Sequence, residues 1–269
     1  MTYGFSLRRL AAVLAFGAAL CLTLEGGAFA QGRRGAGFGA APPPLQTGRD
    51  GAPVDLTGYW VSVVTEDWLY RMVTPPKGDF ASVPLNAEGR RVGNAWNPDQ
   101  DIASGQQCKS YGAAGLMRVP GRLHITWQDD QTLKVETDSG MQTRLFHFPK
   151  QSEDAQGELL SAVEAPAGID DSLQGYSVAR WERAGGGRGP GGGFPGVAGR
   201  APKGGSMEVV TTHLLPGYLR KNGVPYSGHT LLTEYYDRTD EDNGDTWLII
   251  TTIVHDPQYL TREFVTSTH

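Results

Sequence analysis

Glu234 sits in Leu231-Leu232-Thr233-Glu234-Tyr235-Tyr236, a run with no other charge. A carboxylate in such a run must be paired, hydrogen-bonded or protonated. Turned inward beside His213 on the preceding strand, it would form an acid–base pair, with Tyr235 or Tyr236 as orienting hydroxyl. The alternative is a glutamate facing solvent from the outside of the sheet. His147 is the third candidate for catalysis. It alternates with Met141, Thr143 and Leu145, while Gln142 and Arg144 take the other parity; His213 alternates with Met207, Val209 and Thr211. Both imidazoles are therefore expected to look inward among apolar neighbours. There they would be core histidines satisfied by adjacent strands, or cavity-lining groups of useful proton affinity. His124, alternating with Leu123 and Ile125, is expected outside. With His229 and His255, these histidines show no His-x-His, His-x-x-x-His or Cys/His spacing, so neither a metal nor a cofactor is expected.

Candidate ligand contacts come from three places. Glu66 to Met72 is loaded with aromatic and charged groups, among them Trp68 and Tyr70. Leu215 to Tyr226 has two prolines, two glycines and two tyrosines, the makings of a rim or lid. Arg220 or Lys221 would there meet an anionic ligand, beside Tyr226. Trp127 and Tyr235 complete the set able to face a ring-bearing molecule, although aromatics in a small barrel also serve as core. Cys108 is expected to be a buried, inert thiol rather than a nucleophile. No Gly-x-Ser-x-Gly elbow occurs. The Gly-rich tract at 185–205 does not link a strand to a helix, so it is not a phosphate cradle.

The elements that must position these residues show period-2 patterning. Strands are predicted at Leu56–Asp67, Arg122–Gln128, Thr132–Thr137, Met141–Phe148, Gly175–Glu182, Met207–Leu215, Thr230–Arg238, Thr246–Val254 and Leu260–Thr268. Turn chemistry separates them at Asp129-Asp130-Gln131, Asp138-Ser139-Gly140, Asp242-Asn243-Gly244 and Asp256-Pro257. Only Leu85–Trp96 reads as a helix, with Pro98 ending it. Short loops favour an antiparallel up-and-down sheet, and eight or nine strands favour closure into an all-β barrel.

Gly58-Tyr59-Trp60 in the first strand resembles the Gly-x-Trp of lipocalin and calycin barrels. That resemblance implies a Trp60 that plugs the closed end of a barrel, under a basic residue of the last strand, for which Arg262 is the candidate. Thr233-Glu234-Tyr235 resembles the second lipocalin motif, which has Asp at its centre. Val54-Asp55-Leu56-Thr57-Gly58-Tyr59-Trp60 also resembles the opening Pro-Asp-Leu-Ser/Thr-Gly-x-Trp of a group of secreted bacterial proteins.

The ends and composition bound the rest. Arg8-Arg9, the apolar run Leu10–Leu24 and the exit site Ala28-Phe29-Ala30 have the layout of a cleaved signal peptide over residues 1–30. The arginine pair is also compatible with a twin-arginine address. A periplasmic or secreted product follows, with no membrane insertion after cleavage. Residues 31–52 read as a disordered leader, and 53–269 as a single domain carrying the Gly-rich insertion at 184–205. Cys21 leaves with the signal, so the mature chain forms no internal disulfide and must hold by burial. A net charge of −5 with scattered basic residues argues against nucleic acid as a partner. The leading expectation is a barrel that binds a small, partly apolar or aromatic molecule. The alternatives are an enzyme on that scaffold working through His213, Glu234 and His147 as a hydratase, isomerase, lyase or hydrolase, and a structural or partner-binding envelope protein.

Overall fold

The computed structural model describes residues 47–149, 165–183 and 205–269. The segment read as a signal peptide, most of the segment read as a leader and residues 184–204 of the Gly-rich insertion lie outside the described residues. The chain is built mostly of strands, which form one curled, half-barrel sheet. In chain order the strands are β1 (Gly58–Val61), β2 (Arg122–Asp129), β3 (Thr132–Thr137), β4 (Thr143–His147), β5 (Tyr176–Arg183), β6 (Gly205–Thr212), β7 (Gly217–Arg220), β8 (Val224–Tyr226), β9 (Leu231–Asp240), β10 (Thr246–His255) and β11 (Phe264–Thr268). Nine of them form the sheet, ordered β1-β2-β3-β4-β5-β6-β9-β10-β11; β7 and β8 make a separate hairpin.

Two features depart from a closed antiparallel barrel. First, β4 and β5 pair in parallel, and only through Phe146↔Ser177 and His147↔Val178. Second, the outer strands β1 and β11 do not form a ladder. β11 pairs with Ile250–Val254, the second half of β10, and Thr246–Ile249 has no strand on that side among the described residues. The stretch around β1 crosses this gap and touches its margins at two points. Arg238 Nη1 donates to the Asp55 carbonyl at 2.7 Å, and the Val63 N–H donates to the His269 carbonyl at 2.9 Å. Between these contacts the seam stays open.

The predicted first strand is shortened because its second half leaves the sheet. Asp67 takes a left-handed backbone (φ 47) and starts a short helix, α1 (Trp68–Met72). The predicted helix appears as α2 (Ala87–Ala95), capped by Asn86 Oδ1, which accepts from the Gly89 N–H at 2.8 Å. Two further short helices, α3 (Pro98–Ala103) and α4 (Ala113–Leu116), follow it. Pro98 sits in the first turn of α3, where its missing N–H costs nothing. Thr47–Ala52, read as leader, is tied to the β2–β3 turn and to β5. The Arg49 N–H donates to the Asp130 carbonyl at 3.0 Å, and Trp181 Nε1 donates to the Gly48 carbonyl at 2.6 Å.

The interior holds two apolar clusters. One gathers Ile125, Leu133, Val135, Phe146, Val209, Tyr236 and Ile250 inside the curl. The other packs Phe80, Leu85, Leu219, Val224, Tyr226, Leu232 and Val254 beneath α2 and the β7–β8 hairpin. Replacing fully buried Phe146 by Ala is expected to cost about 3–5 kcal/mol in urea denaturation. Val265→Ala, on an exposed position of β11, should stay within about 0.5 kcal/mol.

Candidate functional site

Glu234 faces inward, and its partner is an arginine. Arg144 Nη2 and Glu234 Oε2 lie 2.7 Å apart, both side chains shut off from solvent, and Arg144 Nη1 donates to Glu234 Oε1 at 3.0 Å. Arg144 Nη2 also donates to Thr211 Oγ1, whose hydroxyl meets Ser177 Oγ at 2.8 Å. Strands β4, β5, β6 and β9 thus each give one polar side chain to a buried layer. Burial opposes the Arg144 cation while the Glu234 charge favours it, and the balance lies above the ordinary arginine range. Burial, followed by the Glu234 charge, raises the Tyr236 hydroxyl well above the ordinary phenol. This layer is a strut rather than an acid–base pair, since an arginine has no proton to exchange near neutrality.

The two histidines do not join it. On β4 the buried positions are Arg144 and Phe146, with Phe148 just beyond its end, so His147 lies on the opposite face, stacked on Tyr176 with ring centroids 4.9 Å apart. Burial depresses its proton affinity. His213 keeps the right parity only as far as Thr212. There the strand ends, His213 turns left-handed (φ 57), and its Nδ1 lies 2.9 Å from Thr212 Oγ1, while Leu214 fills the interior.

The ligand candidates disperse likewise. Trp68 is exposed on α1. Trp127 packs against Phe148 on the core and lines a shallow hollow with Trp181 and Arg49. Tyr226 is buried, with its hydroxyl between Gly112 and Gly217, where any Cβ would collide with it. Tyr235 faces outward and donates to Glu208 at 3.0 Å; burial and that bond push its hydroxyl up to about 12. Glu208 also pairs with Arg180. Tyr70 and Arg220 do come together, the guanidinium 4.5 Å above the ring. Arg262 is exposed and makes no cation–π contact with Trp60, whose indole N–H instead donates to the Leu56 carbonyl at 3.0 Å. Cys108 is exposed, not buried as expected, in a short 3-10 turn. Among the described residues no group of three His, Cys, Asp or Glu side chains is placed to hold a metal.

A cavity of about 570 Å³ opens in the seam. Its inner wall is Trp60, Leu116, Met117, Leu123, Leu248 and Ile250, with Tyr59, Trp247 and Arg238 toward the rim. Thr268 also lines it, 5% exposed, with a hydroxyl that has no hydrogen-bond partner. Parity alone did not reveal this site, because it arises where β10 lacks a neighbour.

Removing one member of the buried pair leaves the other charge without compensation. Arg144→Met or Glu234→Leu alone should each cost about 3–5 kcal/mol, whereas the double replacement should recover most of that loss. Urea denaturation of the two single variants and the double variant checks the cycle.

No family model, curated protein or solved structure matches the chain, so its function is argued from these sites.

Proposed function

We propose that the chain is an exported small-molecule-binding protein that takes a partly apolar, ring-bearing ligand into the seam cavity. The observation that carries this reading is the pairing of an apolar chamber with the unpartnered Thr268 hydroxyl on its wall. Ligand pockets are typically a few hundred Å³, mostly apolar, with a few placed polar groups, and this cavity has that character. Trp60 and Trp247 supply aromatic faces, and Thr268 supplies a hydrogen bond that fixes orientation. The lipocalin-like element of the proposal is capture by a curled sheet, here entered through the open seam. The N-terminal signal pattern supports a periplasmic or secreted site of action. Scattered surface cations give no support to nucleic-acid binding.

A neutral fluorescent probe, N-phenyl-1-naphthylamine, tests the cavity. Saturable binding at one site per chain is expected, with quenching of tryptophan emission. Leu123→Trp fills the chamber and should weaken the probe by about tenfold or more, a loss of about 1.4 kcal/mol. The reading fails if the probe binds the filled variant as well as the parent while both remain folded.

A further inference from the structure

The end of α1, the turn after α4 and the end of β7 converge on a second, much smaller cleft. It is lined by Tyr70, Arg71, Ser110, Arg118 and Arg220, with Lys221 exposed at its rim. Its room of about 50 Å³ suits an ion or a single small group, not the kind of ligand the seam would take. Arg71, Arg118 and Arg220 are each more than nine-tenths buried.

Buried cations need partners, and two of the three have them. Arg71 pairs with Glu66, which also meets His269 Nδ1 at 3.2 Å; Arg118 Nη2 donates to Asp67 Oδ2 at 2.8 Å. Arg220 pairs with no carboxylate among the described residues. Its Nη1 donates to the Ala81 carbonyl at 2.6 Å, and Tyr70 lies against its guanidinium. Asp67 and, more weakly, Asp79 act on Arg220 only at longer range: Asp67 bonds Arg118 instead, and Asp79 Oδ1 accepts from the Ala81 N–H at 3.1 Å. As a result Arg220 Nε, Arg220 Nη2 and Arg71 Nη2 are shut off from solvent with no acceptor. Burial, with the neighbouring Arg118 cation, holds both Arg71 and Arg220 below the ordinary arginine range. The cleft therefore has donors and positive charge to spare.

We propose that this cleft binds a small tetrahedral oxyanion, phosphate or sulfate, which accepts from the unsatisfied nitrogens of Arg220 and Arg71. Three donors from two guanidiniums call for more acceptor positions than a halide offers, and paired Arg N–H groups match the oxygen spacing of phosphate. The cleft adjoins the seam cavity through Val119, but the proposal does not depend on what the seam holds.

The test titrates the full chain in phosphate-free buffer at constant ionic strength. Phosphate or sulfate should bind saturably at one site and raise Tm by about 5 °C at one hundredfold above Kd, with chloride and acetate giving much less. Arg220→Gln should weaken phosphate by about tenfold or more. Its Tm without phosphate should stay at or above the parent value, because an uncompensated buried charge has gone. A merely structural Arg220 would instead lose stability equally with and without phosphate. Lys221→Gln, at the rim, should weaken binding less, and Arg91→Gln, exposed on α2, should leave it unchanged. Glycerol 3-phosphate binding tighter than phosphate assigns the site to the phosphate of a larger ester; the reverse assigns it to the free ion. A phosphate response no larger than that of chloride overturns the proposal, as does an unchanged isotherm in Arg220→Gln. Should that variant fail to fold, Arg220→Lys carries the same two outcomes.

Discussion

The ion pair between Arg144 and Glu234 holds the curl of this sheet in place. The residues are 90 apart in sequence and lie on β4 and β9, with β5 and β6 between them in the sheet. A contact that skips two strands forms only if the sheet bends around it, so the pair and the curvature require each other. The desolvation penalty for two charges taken from water is several kcal/mol per ion, and geometry this close is needed to offset it. Thr211 and Ser177 extend the bonding to the intervening strands, so all four strands share one polar layer. The layer also separates two cores. Along β9, Leu232 belongs to the lower cluster and Tyr236 to the upper, with Glu234 between them.

Much of the sheet was legible in alternation and turn chemistry. Strands β2, β3, β9 and β10 lie within a residue or two of where the pattern put them, and Asp242-Asn243-Gly244 turns β9 into β10 as expected. For Glu234 the pattern left an inward and a solvent-facing position both open, and the structure buries it. Its partner was hidden by the same logic, because a long cation on β4 reads as a mark of the solvent face. Taking Arg144 as outward inverted the parity of that strand and turned His147 inward on paper. On β6 the alternation was right, but no pattern shows that the backbone rotates to a positive φ at His213.

Other features lay beyond one-dimensional pattern. The parallel join of β4 to β5 depends on the path of the connection between them, where side-chain alternation is silent. Trp68–Met72 is too short to display a helical period. The seam cavity is defined by the half of β10 that lacks a neighbour, and a missing neighbour leaves no trace in composition. The arginine cleft joins two segments that composition marked, Glu66–Met72 and Leu215–Tyr226, to Arg118, and no pattern along the chain shows that the three meet.

The short parallel join has a consequence for how the chain assembles. The β2–β3–β4 and β9–β10–β11 meanders are each built from neighbours in sequence, so their ladders close small loops at low entropic cost. By backbone ladder the two sides meet only through two residue pairs of parallel strand, and the rest of the join is made by side chains inside the curl, the Arg144–Glu234 strut and the apolar cluster around Phe146 and Tyr236. Cooperativity between the meanders therefore rests on packing and on the strut more than on backbone pairing. A chain that lost the strut would be poised to come apart as two subglobal units, opening at different free energies, instead of melting as one.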